Sequence, residues 1–109
     1  MKKIDRRAPY RLSVEAKKWW RRIQNEYAID DEAGFLLLQT ALESFDRMSR
    51  AQEQIAEHGM VSRDRFGQLK PHPLLVTERD ARSHLMAALK QLNLDLEPLR
   101  DRVGHPGGK

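Results

Sequence analysis

Apolar residues recur at spacings of three and four along one interval of the chain. Leu38, Ala41, Leu42, Phe45, Met48, Ala51 and Ile55 fall on one side of a helix drawn from Asp31 to Gly59. Asp30 and Asp31 offer side-chain oxygens to the first free backbone N–H groups. Gly59 accepts the left-handed backbone that ends helices, and no proline interrupts the interval. At about 1.5 Å per residue this helix is roughly 40 Å long. The other predicted helices look too short to cover such a stripe. The expectation is therefore a packing spine that also makes contact between subunits, through Leu38, Leu42, Phe45, Met48 and Ile55.

Ahead of it, Ser13 caps a helix over Val14 to Tyr27, with Ala16, Trp19 or Trp20, Ile23 and Tyr27 as its apolar stripe. Adjacent tryptophans lie about 100° apart on a helix, so one packs inward and the other faces a boundary or the basic surface. The short link from Ala28 to Asp31 predicts antiparallel packing of this helix on the first half of the long one. The second half, Arg47 to His58, is then left to project or to meet another chain. Residues 59–76 read as a loop with two glycines and two prolines, pinned to the body by Phe66, Leu69, Leu74 and Leu75. Pro71 and Pro73 force an extended path around His72. Thr77 is the expected cap of a third helix, with Asp80 three residues on and a stripe of Ala81, Leu85, Ala88, Leu89 and Leu92.

The fold class is thus all-α: a helical hairpin with one long central helix, a Pro/Gly loop and a third helix, with contacts between subunits along the long helix. Its predicted organisation is a flexible basic arm over 1–12, a helical domain over 13–103 and a flexible tail over 104–109, with Pro98 to Val103 adding a turn of helix.

Charge changes the picture more than composition does. The chain of 109 residues carries +4, but residues 1–22 hold nine Lys/Arg against Asp5 and Glu15, a balance of +7 on a body of −3. A basic end on a mildly acidic body is an electrostatic footprint of nucleic-acid binding, set against the plainer reading of a solubilising tail. The candidate phosphate-binding residues are Lys2, Lys3, Arg6, Arg7 and Arg11 in the arm and Lys17, Lys18, Arg21 and Arg22 on the first helix. No cysteine is present, which excludes disulfides and thiolate metal sites. No apolar run approaches a membrane span, and the basic N-terminus has no apolar region after it to make a secretory signal, so a cytoplasmic location is expected.

Nothing in the sequence points to catalysis or to a cofactor. His58, His72, His84 and His105 share no metal-ligand spacing. No glycine-rich loop ends in Lys-Ser/Thr, and no serine stands in a nucleophile elbow. The carboxylates are interleaved with basic residues along helices, as on a solvated face.

One run carries a resemblance. Gly59-Met60-Val61, then Asp64-Arg65-Phe66-Gly67-Gln68-Leu69-Lys70-Pro71-His72-Pro73-Leu74-Leu75, then Glu78-Arg79-Asp80-Ala81-Arg82, resembles the small terminase subunits of tailed phages, in the branch typified by cos-site phages. The Gly-Gln-x-Lys-x-His-Pro core is fairly specific between two long helices, and the likeness covers roughly residues 19–109. It implies a non-enzymatic DNA-packaging recognition subunit. Such a subunit binds double-stranded viral DNA as a homo-oligomeric ring in the bacterial cytoplasm. It hands the DNA to a large terminase subunit that holds the ATPase and nuclease. The alternatives are a small helical transcription regulator, which needs two shorter helices and a tight turn, and a coiled-coil adaptor, which needs no charge asymmetry.

Overall fold

A computed structural model describes residues 6–92 of the chain. It contains α1 (Val14–Tyr27), α2 (Glu32–His58), β1 (Val61–Arg63), β2 (Leu69–Pro71) and α3 (Leu74–Gln91). The predicted arm residues 1–5, the turn at Pro98–Val103 and the tail at 104–109 lie outside the described residues.

The two helices expected first form where the sequence places them. Ser13 Oγ accepts from the Ala16 N–H at 3.1 Å, which satisfies one of the free donors of α1. Ala16, Trp20 and Gln24, spaced by four, form its buried edge. Trp20 is the inward tryptophan, whereas Trp19 is 40% exposed. α1 stops at Ala28, whose φ of 53° and ψ of 45° put a non-glycine residue in the left-handed region. Asp31 then caps α2, accepting from the Gly34 N–H at 3.3 Å. The bend is so tight that a Cβ on Gly34 would stand 2.6 Å from Asp31 Oδ1 and 2.9 Å from Ile29 Cγ2. α2 ends at Gly59, whose φ of 87° is positive but whose ψ of 160° is extended, and whose N–H reaches Ile55 O at 2.7 Å.

The α1–α2 corner holds the main core: Leu12, Ala16, Trp20, Ile29, Phe35, Leu38 and Leu42. Trp20 and Phe35 stack with centroids 5.8 Å apart. Residues 6–12, read from the sequence as the end of a flexible arm, lie against this corner. Leu12 is buried, Ala8 packs on the cluster, and Trp20 Nε1 donates to Arg6 O at 2.8 Å.

The all-α expectation is corrected by a two-stranded antiparallel sheet with register Val61↔Pro71, Ser62↔Lys70 and Arg63↔Leu69. Its tip is built around Asp64. The Oδ1 atom accepts from the N–H groups of Phe66 (2.8 Å) and Gln68 (3.0 Å), and the backbone O accepts from Gly67 N at 2.9 Å. Gly67 has φ 80°, so glycine suits this turn. Pro71 is tolerated because a two-stranded ribbon has only edge strands.

The loop was expected to be pinned by Phe66 and Leu69. Instead these are 75% and 64% exposed, because register and turn aim them outward. The anchor is His72, buried and stacked on His58 with centroids 5.7 Å apart.

The third helix also departs from expectation. It begins at Leu74 rather than after Thr77, because the Nδ1 of His72 accepts the Leu74 N–H at 3.0 Å and opens the helix one turn early. α3 then runs back along α2. His72 meets His58, Glu78 meets Gln52 at 2.9 Å, and Leu92 packs on the cluster that holds Leu38 and Leu42. Small buried residues line this region: Ala41, Ser44 and Ala51 on α2, Ala81 and Ala88 on α3. The C-terminal half of α2, expected to lack a cover within its own chain, is covered by α3.

Candidate nucleic-acid interface

The basic residues of the first twenty-two positions separate into two groups. Arg6 and Arg11 are spent on the chain itself. Both guanidinium nitrogens of Arg6 donate to Glu32, at 3.0 and 2.6 Å, and its carbon sits 4.3 Å from the Phe35 ring centre. This pairing holds the Arg6 guanidinium above its ordinary pKa and the Glu32 carboxyl below its own, mainly through the side-chain hydrogen bonds. Arg11 donates to Glu43 at 3.2 Å.

The second group faces solvent. Arg7, Lys18, Arg21 and Arg22 are exposed and Lys17 is half-buried, and none of them forms an ion pair among the described residues. Arg22 lies over Trp19 at 5.5 Å, so the exposed tryptophan and the guanidinium form one amphipathic patch. Lys18, Arg21 and Arg22 follow spacings of three and four, which aligns them on the side of α1 away from Ala16, Trp20 and Gln24. A straight row of cations on a rigid helix meets the backbone of a duplex without needing to read bases. Lys2 and Lys3 fall outside the described residues.

Sequence reasoning passed over three further cations. Arg47 and Arg50 lie on the exposed side of α2 and line a groove with Arg11, Glu43 and Asp46. Their i, i+3 spacing is the signal the sequence carries, overlaid there by the apolar stripe of the same helix. Arg65 stands at the hairpin tip, 5.1 Å from the Phe66 ring centre. It could not be placed while the hairpin itself was read as loop.

The residues expected between subunits divide as well. Leu38 and Leu42 are 0% and 2% exposed within the single chain. They belong to the core of the single chain. Phe45, Met48 and Ile55 are half-buried. Among the described residues no group of three His, Cys, Asp or Glu is placed to hold a metal ion, and no helix is long and apolar enough to cross a membrane.

A family model described as phage terminase, small subunit, matches residues 16–106. The chain belongs to that family. As a terminase small subunit it is a component of phage DNA packaging. The matched span takes in the basic side of α1, the hairpin and α3, which places all three within the terminase unit. No curated protein and no solved structure matches the chain.

Proposed function

We propose that this terminase small subunit is the non-catalytic DNA-recognition component of a packaging machine. It binds double-stranded viral DNA as a homo-oligomeric ring in the cytoplasm of the bacterial host and presents it to the large ATPase/nuclease subunit. Family membership supports the packaging role. The Gly67-Gln68-Leu69-Lys70-Pro71-His72-Pro73 run supports the cos-site branch. The observation that carries the DNA-binding reading is the exposed row Lys18, Arg21 and Arg22 on α1, unpaired by any carboxylate among the described residues. Arg7 and Lys17 extend it, and Lys2 and Lys3 add charge from the N-terminus. Repeated around a ring, the row becomes a continuous positive track, and weak contacts add up to avidity.

Binding of a duplex, followed by fluorescence anisotropy across a salt series, tests this. Each neutralised phosphate adds close to one unit to the slope of log affinity against log salt. Replacing Lys18, Arg21 and Arg22 with alanine lowers affinity and flattens that slope. Replacing Arg6 and Arg11 has the smaller effect, because both already serve carboxylates of their own chain. An unchanged slope in the α1 triple variant, with the helical content retained, rejects α1 as the DNA surface.

A further inference from the structure

The hairpin tip is braced and exposed. Asp64 accepts two backbone N–H groups, Gly67 closes the turn, and Arg63 Nη1 donates to Gly67 O at 2.6 Å. The bracing presents Phe66, 75% exposed, at the apex. Val61 and Leu69, also exposed, share the outer face of the ribbon with Arg63, since directly paired residues and alternate positions lie on one side. Arg65 sits beside the Phe66 ring. An apolar apex flanked by two guanidinium groups has the form of a docking element. Because the turn is already fixed, little conformational freedom is lost when it is covered.

The same chain carries a groove of complementary character. It lies between the start of α1 and the middle of α2 and measures about 360 Å³. Phe45 is half-buried in it and Val14 is 73% exposed beside it. Glu15 and Glu53 stand on its border, both exposed and neither in an ion pair among the described residues. Asp46, which also borders it, is occupied by Ser13, and Arg50 is the one cation among the described residues that line it. Three neighbouring grooves lack this excess of acid. One has Arg11, Arg47 and Arg50 against Glu43 and Asp46, another Arg6 and Arg7 against Glu32, and the third Arg22 against Glu26.

We infer that the hairpin tip of one subunit docks into the Val14–Phe45 groove of a second copy of this chain. Phe66 covers Val14 and Phe45, and Arg63 and Arg65 face Glu15 and Glu53. The inference rests on the oligomer reading above and names the surfaces that build it. The two patches differ, one following the end of α2 and the other at its middle, so the contact is head-to-tail. A head-to-tail contact repeats from copy to copy and closes into a ring when its rotation allows.

The absence of native cysteine gives a direct test. Two separately tagged variants, Gln68→Cys and Ser49→Cys, are mixed and mildly oxidised; Gln68 is exposed beside the apex, Ser49 lines the groove, and Phe66 stays in place in both. The expected product is a disulfide joining one chain of each kind. In parallel, native mass measurement follows the wild type, Phe66→Ser, and Arg63→Glu/Arg65→Glu alone and combined with Glu15→Lys/Glu53→Lys. Phe66→Ser and the arginine reversal are expected to release the 12.7 kDa monomer at micromolar concentration. The combined reversal restores assembly. Phe66 is 75% exposed and outside the hydrophobic core of the described residues, so circular dichroism of Phe66→Ser should match the wild type. An oligomeric wild type whose Phe66→Ser variant stays assembled, or whose cross-linked product is only between like chains, overturns this docking and leaves the ring reading standing. A wild type that is monomeric throughout overturns both.

Discussion

The Nδ1 atom of His72 accepts a hydrogen bond from the backbone N–H of Leu74 at 3.0 Å. The residue at the cap position of α3 is Pro73, whose side chain can cap nothing, so the imidazole one residue earlier takes over. The same ring stacks on His58 at the end of α2, and its backbone N–H pairs with Met60 O at 2.7 Å. One residue thus joins the end of one helix and the start of the next through its ring, and the base of the ribbon through its backbone. His72→Ala is expected to cost about 1–2 kcal/mol, the upper part of the range for a lost cap. His72→Asn, which retains a capping acceptor, should recover part of it. Urea unfolding of the three proteins measures the difference.

Asp46 is buried on α2, and its two oxygens accept from Ser13 N at 2.8 Å and Ser13 Oγ at 2.5 Å. It therefore ties the first residue before α1 to the middle of α2. Asp46→Ala removes a charged acceptor from two donors and should destabilise by about 2–3 kcal/mol. Ser13→Ala removes only one of the two bonds as well as the α1 cap, so its cost overlaps with that of Asp46→Ala. A double-mutant cycle read by thermal unfolding should give a non-zero coupling between the pair.

Glu78 is buried between α3 and α2. Arg82 bonds it from its own helix, and Gln52 Nε2 donates to it from α2 at 2.9 Å. These bonds, with that of Arg82 the largest, hold its carboxyl below the ordinary 4.5. A carboxyl depressed in the folded state contributes stability that is present above the unfolded value and is lost as pH falls through the folded one. Wild type should therefore be more stable than Glu78→Gln at pH 7. The gap should close as pH drops below 4.5. Denaturant midpoints of both proteins from pH 7 to 2 check the sign; a gap that widens toward acid would refute it.

Ala28 ends α1 with φ 53°, where a Cβ crowds the backbone. Ala28→Gly removes that crowding and is expected to raise stability by about 0.5–1 kcal/mol despite the looser unfolded chain. The reverse kind of change at Gly34 should be harmful. A Cβ there meets Asp31 Oδ1 at 2.6 Å and would disturb the cap that starts α2. Comparing melting temperatures of Ala28→Gly and Gly34→Ala shows whether the four-residue corner behaves as described.

The limits of α1 and α2 were legible because Ser13, Asp31 and Gly59 act locally, within a few residues of the backbone groups they serve. The hairpin was hidden. Its strands are three residues long, too short for alternation to stand out, and Gly67 with two prolines reads as loop. The start of α3 was misplaced because histidine is not an expected cap, and Thr77 with Asp80 offered a more familiar pattern. Burial of the long stripe was misjudged for a different reason. Length alone suggested that α2 outran its neighbours, but α3 returns along it as α1 ends, so two shorter helices share the task. The basic side of α1 could be read directly from spacing. The pairing of Arg6 with Glu32 and of Arg11 with Glu43 joins residues 26 and 32 positions apart, which no local pattern announces.

The docking of Arg6 bears on the two lysines that precede it. Its backbone oxygen is held by Trp20 and its side chain by Glu32 and Phe35, so Arg6 is a fixed post. Lys2 is four residues from that post, and four residues fully extended span at most about 14 Å. That bounds the reach of Lys2 from Arg6. Along a duplex, where charges recur about every 1.7 Å of axis, it covers less than one helical turn. In the proposed ring, each copy of Lys2 would therefore reach the stretch of DNA beside its own Arg6, and inserted glycines would lengthen that reach.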